Sequence, residues 1–396
     1  MRSATPVALL LALCAPAASL VGCDFFSDEG EKTEKNPPLP NGAVLAASMD
    51  GNLKREVPGL WLFDAETLER EAVVETDSRG PHGVAFSPNY ERWYLSWRIG
   101  SALDSTVQNV LATLDPASRR VEKRTSTSDP SVGGGQLAYE PANKEVVSYG
   151  NGSGRVQFFD PETLKLVRDL SVGTSENSYI PAAAVAEERG TIYFSVYTEG
   201  DGIYVYDVAA RAVTETLSLA ESPLLQQSEP SDLALSPNER YLFGTTFRSP
   251  GGPGRFFMMD VETGELLFEG QAGSYSNLAV DPNGRYVYID CPAGGAWRLL
   301  PPTGQLLRFD VEQREMEVFV ESAEALGLDD SVLQATQITM LPNGEAVVIR
   351  NREGDPALLK LDAATGSVLA TYTRLRDDQG QAIASVRQLH FGIASK

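Results

Sequence analysis

Side chains able to act as ligands, bases or hydrogen-bonding groups recur in this chain at one kind of place, the start of a series of short apolar segments. In register, the opening pairs are His82-Gly83, Gly135-Gln136, Ala182-Ala183, Ser231-Asp232, Ser276-Asn277, Thr336-Gln337 and Arg387-Gln388. Five of them carry an amide or carboxylate second, namely Gln136, Asp232, Asn277, Gln337 and Gln388, while His82, Asp232 and Arg387 are the titratable or charged members. Gathered around one opening, such groups would bind a small polar ligand through hydrogen bonds. They would equally satisfy backbone groups and water with no ligand at all. Harder chemistry has little to stand on. His82 and His390 are the only histidines, and a zinc site needs three or four ligands, so neither a metal site nor a cofactor is expected. No GxSxG, HExxH, CxxC, phosphate-binding loop or EF-hand loop occurs. Cys291 stands alone beside a Gly- and Pro-rich stretch, which predicts a buried, inert thiol.

Those pairs open a repeat. Leu233-Ala-Leu-Ser-Pro-Asn-Glu-Arg-Tyr-Leu-Phe243 matches Leu278-Ala-Val-Asp-Pro-Asn-Gly-Arg-Tyr-Val-Tyr288, with shorter copies at 84–89, 338–344 and 137–141. A second motif follows each time, an apolar run closing on Asp64, Asp115, Asp160, Asp207, Asp260, Asp310 or Asp362, spaced 45 to 53 residues apart. Proline presets φ, and Asn or Gly accepts a left-handed φ, so Pro-Asn marks a tight hairpin. Five of the aspartates have Thr or Ser three residues on, the spacing at which both side chains bond the N–H groups of the next turn. Each period therefore holds four short antiparallel strands, A to D, with A ending at Pro-Asn and C ending at Asp. Seven such periods are the signature of a seven-bladed, all-β propeller over 38–396. Leu39-Pro-Asn-Gly42 lacks a preceding strand A, and Arg387–Ile393 has the strand A pattern with no strand B after it. The C-terminal strand is thus predicted to complete the first blade and close the ring.

The stretches 282–288 and 260–264 carry a resemblance to the bacterial YVTN-repeat propellers, relatives of the WD40-like propellers. The chain is also similar in fold and repeat style to the seven-bladed lactonases. That resemblance implies a hydrolase alternative with its site in the central channel, for which His82, Asp232 and Arg387 are the available groups. Asp260-x-x-Thr-Gly264 and Asp362-x-x-Thr-Gly366 resemble quinoprotein repeats, but the tryptophans of that pattern do not recur.

The remaining signals concern location and partners. Residues 1–22 read as a signal peptide with a basic start at Arg2 and an apolar run too short to span a bilayer. Leu20-Val21-Gly22-Cys23 resembles the bacterial lipobox, which implies lipidation of Cys23 and a bacterial cell-envelope protein facing the periplasm or the exterior. Residues 23–37 read as the lipidated Cys and an acidic, flexible tether. A net charge of −21, from 33 basic against 54 acidic residues, disfavours nucleic acid as a partner. The variable connections, B to C and D to A, all fall on one face, and binding residues concentrate on such loops. The expectation is a monomeric, non-enzymatic binding or interaction module that takes a small polar ligand or a protein on that face.

Overall fold

The computed structural model describes residues 39–51, 58–76, 80–99, 108–127, 135–150, 154–172, 179–196, 202–219, 222, 225, 228–247, 254–273, 276–291, 305–322, 324–326, 335–352, 355–373 and 384–394. The signal peptide, Cys23 and the tether predicted above lie outside these residues, as do most of the long B–C and D–A connections. All described residues belong to one unit, Asn36–Lys396.

Seven antiparallel sheets of four strands each make seven blades. The A strands are Ala384–Ile393 in blade 1, Gly83–Phe86, Gln136–Glu140, Ala183–Ala186, Glu229–Leu235, Leu278–Val280 and Ala335–Met340 in blades 2 to 7. They touch one another in succession from blade 2 round to blade 1, and their residues line a shared cavity. The D strands form the rim and carry mostly exposed and half-buried positions, alternating in Val368–Tyr372 and almost wholly exposed in Arg120–Thr127. Among the described residues the only helical element is the three-residue 3-10 turn Glu324–Leu326, and none is a helix long and apolar enough to cross a membrane.

The apolar residues sort into seven clusters, one for each pair of neighbouring blades. Between blades 1 and 2, Val44 and Leu60 meet Trp93, Trp97 and Val110. Between blades 7 and 1, Leu341 and Leu358 meet Leu45 and Trp61. A blade buried on both faces has no reason to alternate, which is why strands such as Trp93–Ile99 and Glu145–Tyr149 read as nearly continuous apolar runs. Because the core is divided into seven wedges between blades, the axis is left for other groups.

Closure occurs as predicted. Ala43–Gly51 pairs with Gly59–Asp64 on one side and with Ala384–Ile393 on the other, so Ala46 faces both Leu62 and His390. Across the seam, Lys360 of blade 7 pairs with Glu345 at 2.7 Å and donates to the Glu66 carbonyl of blade 1 at 2.8 Å.

The turns follow the predicted chemistry with one correction. All seven aspartates cap their turns, including Asp207 and Asp310, which have no Thr or Ser three residues on. In each C–D turn the residue four after the Asp is left-handed, from Leu68 round to Gly366. In the A–B turns the left-handed residue is the one after the Asn: Gly, one of the two expected types, at Gly42, Gly284 and Gly344, and never the Asn, with Tyr90 and Glu239 taking the place in other blades. The Asn works through its side chain. Asn238 Oδ1 accepts from Ser236 Oγ at 2.6 Å and from the Arg240 N–H at 3.2 Å. A non-glycine residue there costs about 1–2 kcal/mol, and the hydrogen bonds and flanking strands offset it.

Candidate functional site

The A strands enclose an axial cavity of about 430 Å3. Gln136 and Tyr149 come from blade 3, Ala182 and Ala183 from blade 4, Ser231 and Asp232 from blade 5, and Asn277 to Val280 from blade 6. Blade 7 adds Gln337 to Met340, and blade 1 adds Leu389 and His390. Four of the seven predicted ring residues, Gln136, Asp232, Asn277 and Gln337, therefore share one wall. His82 does not belong to that wall; its backbone N–H donates to the Ser96 carbonyl at 2.7 Å. Arg387 and Gln388 lie on the closing strand, with Gln388 paired to Ser48, and their side chains are outside the described residues.

Blade 2 contributes nothing described to the wall, and Gly83 shows why. A Cβ there would meet Leu137 N at 2.5 Å and the Gly135 carbonyl at 2.7 Å, so the A strands of blades 2 and 3 press backbone to backbone. His390 occupies a position where other blades carry alanine, and its ring lies 6.3 Å from that of Phe86. It lines the cavity rather than packing wholly between blades, and burial pushes its pKa down to about 4. The imidazole is uncharged at neutral pH, with one donor and one acceptor.

The polar centre of the wall is at blades 5 and 6. Asp232 Oδ1 accepts from the Leu233 N–H at 2.9 Å, and Oδ2 accepts from the Leu278 N–H of the next blade at 3.0 Å. Its carboxylate thus joins two blades while facing the channel. Desolvation pushes its pKa up to about 6 against those two hydrogen bonds. Behind it Asp290, fully buried, accepts from the Asn277 N–H at 2.7 Å and from Asn277 Nδ2 at 3.0 Å. Desolvation, with the charge of Asp232 adding to it, pushes Asp290 up to about 8. Tyr149 of the same cavity is buried, and its pKa is raised first by burial and then by Asp232. Gln337 Oε1 is buried in the wall without a donor. Cys291, next to Asp290, is 3% exposed and its thiol is raised to about 11 by burial. Among the described residues no three His, Cys, Asp or Glu side chains gather as a metal site would require.

The sequence reading missed Tyr149 as a channel group and Asp290 as the buried carboxylate behind Asn277. Asp290 had one visible signal, a carboxylate ending an apolar strand, Tyr286–Asp290. Tyr149 had none, because it sits within an ordinary strand pattern, whereas His390 stood in register with the near-axis alanines Ala85, Ala138, Ala234 and Ala279.

The cavity's rigid wall of amides, one carboxylate and a neutral imidazole is suited to holding a small ligand by hydrogen bonds. No protein-family model matches the chain, and no curated protein matches it. Solved structures do. The chain is similar to the periplasmic gluconolactonase PpgL of Pseudomonas aeruginosa, at 14% identity and a TM-score of 0.62, over 89% of this chain and 99% of that one. It is similar to a candidate 6-phosphogluconolactonase of Bacteroides uniformis, at 14% identity and a TM-score of 0.61, over 88% and 99%. It is also similar to hydrazine synthase of Kuenenia stuttgartiensis, at 13% identity and a TM-score of 0.55, over 74% and 80%. At such identities the likeness is one of fold, and by strand count, pairing and closure the chain is a seven-bladed β-propeller.

Proposed function

We propose that the protein is a lipid-anchored, extracytoplasmic binding protein whose ligand site is the axial channel, where a small polar molecule is held by hydrogen bonds without covalent chemistry. One observation carries this reading: side chains from six blades converge on a single cavity of about 430 Å3, within the size range of small-molecule sites. The anchor is supported by the lipobox-like Leu20–Cys23 alone. Two measurements test the proposal. Cys23→Ala should move the protein from the membrane fraction to the soluble one. A ligand at about 100 times its Kd adds about 2.7 kcal/mol of stability, so a thermal-shift screen of small polar compounds should find one whose effect is lost in Gln136→Ala. A protein soluble without the substitution, or a screen with no hit, would remove the respective half.

A second reading, lactone hydrolysis in the same channel, is favoured by the gluconolactonase named among the similar structures and by Asp232. A carboxyl pushed up to about 6 is close to where a general base works best near neutrality. Hydrolysis of gluconolactone that falls sharply in Asp232→Asn but not in His82→Ala would select this reading. No hydrolysis above the uncatalysed rate would reject it.

A further inference from the structure

We infer that the channel is selective for a small organic cation carrying primary ammonium groups, and that it rejects anions of the same size. This deepens the binding reading above and rests on it. The wall between blades 5 and 7 is rich in acceptors. Both Asp232 oxygens face N–H groups at 2.9 and 3.0 Å, yet each carboxylate oxygen has a second lone pair. Gln337 Oε1 lines the same cavity, buried and without a donor. An acceptor left so costs about 1–3 kcal/mol, and an ammonium group brings the N–H donors that either site can accept.

Charge agrees with this chemistry. None of the described residues lining the cavity is Lys or Arg, and Asp232 is the one carboxylate among them. Among the described lining residues His390 is the one group able to become cationic, and burial holds it neutral. The chain as a whole carries −21, which draws cations and repels anions at long range. An organic cation fits better than a metal ion on two counts. The described residues offer no set of three metal-ligating side chains, and about 430 Å3 is far more room than a bare ion fills.

The test uses the full chain and three probes of one length: butane-1,4-diamine, butane-1,4-diol and succinate, measured by titration calorimetry at neutral pH. The diamine should bind, and the diol and succinate should bind at least about tenfold more weakly, a difference of about 1.4 kcal/mol. Asp232→Asn and Gln337→Leu should each weaken the diamine several-fold and weaken the diol less. Melting is followed in parallel; if Asp232→Asn does not fold, Gln337→Leu carries the test alone. Equal binding of diol and diamine would overturn the cationic selectivity and leave the binding reading standing. Tighter binding of succinate would overturn the inference outright. No binding of any probe would overturn it too, and a failed thermal-shift screen beside that result would remove the binding reading as well.

Discussion

The same side chain does the same job at two levels of this propeller and titrates in opposite directions. In the C–D turns, aspartates accept backbone N–H groups close by in sequence: Asp160 takes those of Glu162 and Thr163 at 3.1 and 2.6 Å. At the axis, Asp232 and Asp290 also accept N–H groups, but Asp232 takes one from Leu278 of another blade. Asp115 and Asp160 lie below the usual carboxylate range, chiefly through the Ser118 and Thr163 hydroxyls. Asp232 and Asp290 are pushed up to about 6 and about 8 by desolvation. Hydrogen bonds favour the charged form in both places, and water decides the outcome. A turn aspartate stays solvated on one side, whereas Asp290 is wholly enclosed and Asp232 meets only the narrow channel.

The largest expected effect comes from breaking the frame that creates both environments. Deleting 384–396 removes strand A of blade 1 and exposes the edge of the nine-residue strand Ala43–Gly51. Aggregation or loss of cooperative unfolding is expected, read by size-exclusion chromatography and thermal melting. A monomeric, cooperatively melting product would show that the ring does not depend on this strand.

Next is the contrast itself. Asp232→Ala leaves the Leu233 and Leu278 N–H groups without their acceptor inside the protein, for an expected loss of about 2–5 kcal/mol in denaturant unfolding. The carboxylate therefore satisfies backbone groups, one of the two roles open to it from the sequence, while it also lines the channel. A loss no greater than that of a turn aspartate would erase the distinction between the two levels.

A third measurement separates them by pH. Asp290 holds a proton in the folded protein, up to about 8, that the unfolded chain releases near the ordinary carboxylate value. Its effect on stability is therefore unfavourable as pH rises from about 4 to about 8, with Asp232 adding the same sign up to about 6. The turn aspartates act the other way: their stabilisation is present above about 4 and is lost as pH falls through their lowered values. Asp290→Asn should flatten the decline in unfolding free energy between about pH 6 and about pH 8. An unchanged slope would mean that another group carries it. The smallest effect is Asp160→Ala, expected to cost about 1 kcal/mol, the scale of one lost side-chain cap, with no change in slope above about pH 5.

The sequence by itself determined the blade count, the four-strand period, the closing strand and the turn aspartates. Each of these rests on contacts made within a few residues, or on one pattern repeated seven times. The donors to Asp160 are two and three residues away, so spacing alone encodes them. Ring positions were legible to the same extent: Gln136, Asp232, Asn277 and Gln337 do share a wall. What they meet there was not legible. The tertiary structure alone brought Leu278 to Asp232 across 46 residues, drew Asp290 in behind Asn277 and kept His82 off the channel wall. These contacts depend on how neighbouring blades pack and where bulges shift register, as between Pro230 and Asp232. The raised carboxylates follow from exclusion of water at the axis, which only the closed ring creates.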